Sequence, residues 1–167
     1  MRKQAVEANV YQPIKDRLEE LFAAKKKPYL EITATKGLSE TLKHNIPQHR
    51  EIVFAFLKKR PDLFGFVERQ YSRDLITVEV KERIQKLDDI YQAKLYKEVF
   101  EARYGFLITT EPIPEKMKRL CKNTGDILRS AGDSIYRFLV IGYFDKEARQ
   151  FVEWFEENPF EKEHYWQ

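Results

Sequence analysis

Asp62 and Glu79, 17 residues apart, with Lys81 two residues further on, are the side chains of this sequence best suited to joint chemistry. Two carboxylates and an ammonium at one end of a sheet can hold a divalent cation and steer a water molecule onto a phosphodiester. Glu79-Val80-Lys81 is the only acid-x-lysine triplet in the chain, and Asp62 follows Pro61 at the start of an apolar stretch. A triplet this short also occurs at ordinary solvated strand ends, so the elements around it have to carry the argument.

Those elements read as a hairpin. Leu63 to Val67 and Leu75 to Lys81 are rich in β-branched and aromatic residues, and the polar run Arg69 to Asp74 between them reads as a turn. Antiparallel pairing sets Asp62, entering the first strand, beside Glu79, near the end of the second. Side chains alternate along a strand, so Glu79 and Lys81 share one face while Val80 points to the other and offers its carbonyl as a further oxygen ligand. Glu82 to Tyr104 contains no proline or glycine, and Ile84, Leu87, Tyr91, Leu95 and Val99 recur at steps of three and four, which predicts a helix buried on that stripe. Gln92 and Tyr96 fall on one face of it, one turn apart. They can present an amide and a phenol to a phosphate or base, or can be a surface glutamine beside a half-buried tyrosine.

The order Pro61-Asp62, Glu79-Val80-Lys81, then Gln92-Ala93-Lys94-Leu95-Tyr96 resembles the PD-(D/E)xK nuclease superfamily, and its glutamine-x-x-x-tyrosine resembles the RecB-like exonuclease branch. The likeness spans about Tyr11 to Thr110. It implies an α/β fold of the restriction-endonuclease-like kind, a mixed sheet built as helix, three-stranded meander, helix, strand. It implies that Asp62 and Glu79 bind Mg²⁺ or Mn²⁺, that Lys81 serves the attacking water, and that Gln92 and Tyr96 help hold the site and the DNA. A third acid is often supplied by the first helix. Glu19, nearer the apolar boundary than Glu20, is the better guess there, with Glu31 on the first strand competing.

The rest of the chain supplies the remaining parts. Ile14, Leu18, Leu21 and Phe22 predict a first helix from Tyr11 to Ala24, ended by Lys25-Lys26-Lys27-Pro28. Tyr29 to Thr35 alternates as a first strand, and Gly105 to Thr109 reads as a strand after the motif helix. Gly37 to Arg60 is an insertion with a short helix over Glu51 to Leu57; it is expected to pack against the sheet or to contact DNA. His44 and His49 within it are expected to be surface residues rather than metal ligands. After Thr110 the pattern predicts a helix Pro114 to Lys122, a strand Ile135 to Phe144 and a helix Lys146 to Glu157 capped by Asp145, extending the sheet within a single domain over residues 1–167. Trp154, Phe155 and Trp166 are expected in packing rather than in base stacking.

Composition narrows the class without naming an activity. With 43% hydrophobic residues the chain can bury a core, and no apolar run is long enough to span a bilayer, so no membrane association is expected. The first residues lack the apolar stretch of a secretory signal, which makes cytoplasmic residence the expectation. A single cysteine, Cys121, excludes both an internal disulfide and the four-cysteine iron-sulfur cluster that some RecB-like nucleases carry. No glycine-rich phosphate loop, zinc-spaced cysteine and histidine cluster or Gly-x-Ser-x-Gly elbow is present. Net charge is only +3, so the placing of basic residues matters more than their sum: Lys58-Lys59-Arg60 stands directly before Pro61, and Arg69, Arg73, Arg83 and Lys86 lie close in sequence. The expectation is a Mg²⁺-dependent deoxyribonuclease acting in DNA repair, recombination or defence, with DNA as partner and a protein partner or homodimer in addition. The alternative is a nucleic-acid-binding or scaffold module that keeps the nuclease fold without cutting.

Overall fold

Ile14, Leu18 and Phe22, spaced four apart, form a fully buried stripe on α1 (Arg2–Ala23). The structure is a computed structural model describing residues 2–130 and 138–167, with side chains described from Asn9 onward. Helix α1 begins well before Tyr11, where the sequence pattern starts it, and runs through Pro13. A proline there removes one backbone donor. Buried Val10, Tyr11 and Ile14 on either side of Pro13 hold this part of the helix in the core.

Six strands follow the order of the chain across one sheet: β1 (Lys27–Ile32), β2 (Leu63–Glu68), β3 (Arg73–Lys81), β4 (Tyr104–Thr109), β5 (Leu139–Asp145) and β6 (Gln150–Trp154). Strands β1 to β3 form an antiparallel meander, β3, β4 and β5 run parallel, and β6 returns antiparallel beside β5. The expected hairpin is present, with Leu63 opposite Val78 and Glu68 opposite Arg73. From Leu75 to Val80 every residue of β3 is buried, as happens when helices cover both faces of a sheet. Ile76, Val78 and Val80 pack in one cluster with α1, Phe160, Tyr165 and Trp166. On the opposite face Leu75 packs with Phe64, Phe66, Phe54, Tyr96 and Phe100, and Leu107 and Ile141 with Ile90, Ala93 and Cys121. Burial pushes the Cys121 thiol up to a pKa of about 11, so it is an inert packing group.

Several expected elements are redrawn by tertiary context. Strand β1 stops at Ile32 because the amides of Thr33 and Ala34 turn to the carbonyl of Asp62, at 2.8 and 3.2 Å. The insertion holds two helices, α2 (Glu40–Asn45), with the Ser39 hydroxyl accepting from the Leu42 amide at 3.1 Å, and α3 (Gln48–Phe56). The motif helix is shorter than its uninterrupted sequence suggests: α4 spans Leu87–Val99, and Glu82 to Lys86 form a loop whose last two amides donate to Asp89 Oδ2. Its buried side is also different. Leu87, Tyr91 and Leu95 are 38, 52 and 46% exposed, while Ile90, Ala93, Tyr96 and Lys97 face inward. Small Ala93 permits close approach to the sheet, and that approach, rather than the most apolar stripe, sets the rotation of the helix.

Helix α5 (Glu115–Asn123) lies where expected. The expected strand from Ile135 falls partly outside the described residues, which resume ahead of β5. The expected helix from Lys146 to Glu157 is instead the β5–β6 hairpin. Asp145 does cap, but its Oδ1 accepts from the amides of Glu147 and Ala148 at 2.8 and 2.9 Å to close a turn, and Arg149 (φ 53°) reverses the chain. Strand β6 wins because it buries aromatic surface: Phe151 stacks on Trp154 at 4.5 Å, and Trp154 meets Phe106 and Phe160. A single 3₁₀ turn (Pro159–Glu161) and α6 (Glu163–Trp166) then lay Phe160 and Trp166 against Phe22.

Candidate functional site

Asp62 sits just before β2, where the chain is clamped on both sides. Its amide donates to the Val78 carbonyl at 2.9 Å, its carbonyl accepts from Thr33 and Ala34, and the Thr33 hydroxyl donates to the Pro61 carbonyl at 2.6 Å. The side chain is equally constrained: Oδ2 accepts from the Val80 amide at 2.7 Å and Oδ1 from the Tyr11 hydroxyl at 3.0 Å.

Glu79, one residue before Val80, projects to the opposite face of β3 from the α1 packing, where α4 covers it, and is only 3% exposed. Lys81 shares that face, and its Nζ lies 2.8 Å from Glu79 Oε1. Burial acts to lower the Lys81 pKa, but the adjacent Glu79 carboxylate, reinforced by Asp62 and Asp89, outweighs it and holds the group above the usual lysine range. Helix α4 adds Gln92, whose Nε2 donates to the Tyr96 hydroxyl at 2.9 Å. Burial, together with the charges of Glu79 and Asp62, pushes the Tyr96 phenol far above its ordinary pKa, so it stays neutral and able to donate.

A cavity of about 580 Å³ opens at the carboxyl ends of β1 and β3, walled by Asp62, Glu79, Lys81, Gln92, Tyr11 and Lys59. Of the residues singled out from the sequence, Asp62, Glu79, Val80, Lys81 and Gln92 meet at this cavity, and Tyr96 stands behind Gln92. Glu19 does not reach it. Its Oε1 accepts from the Leu30 amide at 2.9 Å and its Oε2 pairs with Lys15 at 3.0 Å, about 12 Å along α1 from Tyr11. Glu31 is engaged by the hydroxyls of Tyr29 and Ser39, and it lines a neighbouring cavity. Arg69 and Arg73, close in sequence, are carried to the far end of the hairpin, where Arg69 pairs with Asp74 and Arg73 lies over Phe66. His44 and His49 are exposed, and among the described residues no three His, Cys, Asp or Glu side chains form a metal-binding group.

The residue that sequence reasoning missed is Tyr11. A signal exists: it stands three and seven positions before Ile14 and Leu18, so it continues the buried stripe of α1 while carrying a hydroxyl beyond the core. Removing that donor in Tyr11→Phe leaves a buried carboxylate oxygen one hydrogen bond short. The expected cost is about 1–2 kcal/mol, read as a lower urea midpoint at unchanged m-value.

The chain is thus an α/β protein with a six-stranded mixed open sheet flanked by helices. No helix among the described residues is long and apolar enough to cross a membrane. No family model matches the chain, and neither does any curated protein or solved structure.

Proposed function

We propose that this chain is a metal-dependent nuclease of the PD-(D/E)xK type, hydrolysing phosphodiester bonds of DNA. One observation carries the reading: the Asp62 and Glu79 carboxylates and the Lys81 ammonium, 17 and 2 residues apart in sequence, border one solvent-open cavity at neighbouring strand ends. The succession of α1, an antiparallel meander, α4 and a parallel β4 supports the restriction-endonuclease-like assignment.

The donor set fits Mg²⁺ or Mn²⁺. Two carboxylates and the Val80 carbonyl are hard oxygen donors, and an ion that keeps several waters needs only one or two protein carboxylates. The chemistry such an ion supplies when bound is polarisation of a phosphoryl oxygen and a lowered pKa for an attacking water. The chain's own residues do the rest. Asp62 enters the reaction already oriented by Tyr11 and the Val80 amide, so little ordering remains to be done on binding. Lys81, held protonated by Glu79, acts as a fixed positive charge that positions water and phosphate. Gln92 and Tyr96 provide neutral donors on the α4 side. Water oxygen bonds to phosphorus and gives up a proton to bulk solvent, the opposite ester bond breaks, and the departing strand end takes up a proton from solvent.

The test is incubation of purified protein with single-stranded, duplex and branched DNA in Mg²⁺ or Mn²⁺. Cleavage is expected from the parent and not from Asp62→Ala or Lys81→Ala; cutting that persists at parental rate in either variant removes the assignment. Salt-sensitive binding without cleavage under either metal would instead make the chain a nucleic-acid-binding module.

A further inference from the structure

The reactive cavity does not stand alone. It shares Tyr11 and Thr35 with a cavity of about 440 Å³ beside α1 and β1, and Lys59, Lys81 and Gln92 with one of about 400 Å³ along the loop that leads into α4. The three form one continuous groove that crosses the carboxyl ends of β1 and β3 and continues past them. Neighbouring strands lie about 4.8 Å apart, so the β1 to β3 portion alone spans about 10 Å.

Charge follows the same line. Lys36 lies at one end, Lys58 and Lys59 in the middle, and Arg83 and Lys86 at the other end. All five are exposed. Lys36, Lys58, Lys59 and Arg83 form no ion pair among the described residues, so their charges are available to a phosphate. Of the acids in the outer cavities, Glu31 is engaged by two hydroxyls, Asp89 by two backbone amides and Asp88 by Lys86 at 3.7 Å, while Glu82 offsets one of the cations on the α4 side. The groove therefore offers positive charge on both sides of Asp62 and Glu79. Those two carboxylates are 9 and 3% exposed, so a phosphate must descend between rim residues to reach them. An unpaired strand can bend into such a cleft; a duplex, stiff over about 150 base pairs, rests on the rim.

We infer that the groove is a track for one unpaired polynucleotide strand, engaged internally, with phosphates held on both flanks of the reacting one by Lys36 and by Arg83. This rests on the nuclease reading only for which phosphate reacts. Because the outer cavities flank the Asp62 and Glu79 cavity on its α1 side and on its α4 side, the reacting phosphate need not be at a strand terminus.

Binding in the absence of divalent ions tests the track separately from cleavage. Fluorescence anisotropy is measured on a short labelled oligothymidylate, linear and covalently circularised, and on a duplex of equal length. The two single-stranded forms are expected to bind within about twofold of each other and the duplex about tenfold more weakly, while Lys36→Ala and Arg83→Ala each lower the slope of log K against log salt by about 0.7. Arg73→Ala, at the far end of the hairpin, is expected to leave the slope unchanged. A circle that binds far more weakly than the linear strand, a duplex that binds as well as either, slopes untouched at both flanks, or no binding at all overturns the inference. Circles and linear strands both bound but neither cut in Mg²⁺ retain the track and remove the nuclease reading; linear strands cut while circles are neither bound nor cut do the reverse.

Discussion

Glu79→Gln is expected to lower metal-dependent cleavage by about a thousandfold or more, equivalent to about 4 kcal/mol in the barrier, while the protein stays folded. The substitution keeps the volume of a side chain that is only 3% exposed, and the amide oxygen can still accept from Lys81 Nζ, now 2.8 Å from the carboxylate. What disappears is the negative charge that would hold a cation beside the phosphate. The remaining ammonium on Lys81, 22% exposed, can turn to solvent, so thermal unfolding should shift by no more than a few degrees. Asp62→Asn is a less clean probe. Both Asp62 oxygens accept hydrogen bonds, and an amide that keeps its oxygen on the Val80 amide turns its Nδ2 toward Tyr11, whose hydroxyl must then accept and carry its own proton elsewhere. That variant should lose about 1–3 kcal/mol of stability as well as activity. Steady-state cleavage of a labelled oligonucleotide, measured beside circular dichroism melts, separates the two effects. A Glu79→Gln protein retaining more than about a tenth of parental activity would place the chemistry elsewhere.

Gly65→Ala is expected to have the largest effect on the fold, a loss of at least about 3 kcal/mol and a fall in Tm of about 6–12 °C. Gly65 lies in β2 opposite Leu30 of β1, and a Cβ added there would fall 1.9 Å from the Tyr29 carbonyl oxygen and 2.8 Å from the Leu30 Cα. Both obstacles are backbone, so no rotamer change relieves them; β1 has to part from β2. Gly105→Ala is the contrast. Its Cβ would meet Lys97 Cδ at 2.8 Å and Lys97 Cβ and Cγ at 3.0 Å, side-chain carbons that can give where backbone cannot, so the cost should be smaller, about 1–2 kcal/mol. The damage at Gly65 should also reach the site, because the Thr33 and Ala34 amides just beyond β1 fix the Asp62 carbonyl. Urea titrations of the two variants decide the matter: equal small losses would mean that the close approach of β1 to β2 is not a structural requirement.

The hairpin and its register were legible because two apolar runs separated by a polar turn admit little else, and period-two alternation then assigns Glu79 and Lys81 to one face. Helix α4 was legible as a helix but not in its orientation. Its most apolar stripe, Leu87, Tyr91 and Leu95, is exposed, since the contact with the sheet selects small Ala93 and the long polar-tipped Tyr96 and Lys97. The segment after Asp145 failed for a related reason. Asp145 offers the same hydrogen-bond acceptor to a helix start and to a turn, and the choice was made by aromatic partners far off in sequence, Phe106 and Phe160.

By itself the sequence determined the α/β character of the chain, the hairpin, and the order of acid, acid, lysine and glutamine along it, because each rests on spacing within one or two adjacent elements. Only the tertiary structure decided that Tyr11 rather than Glu19 from the first helix meets Asp62, and that Arg69 and Arg73 leave the site while Lys59 joins it. It also decided that three cavities run together across the strand ends. Such contacts join different elements, Tyr11 and Asp62 across 51 residues. They depend on the rotation and depth at which α1 and α4 seat on the sheet, quantities set by packing volume that no local pattern records.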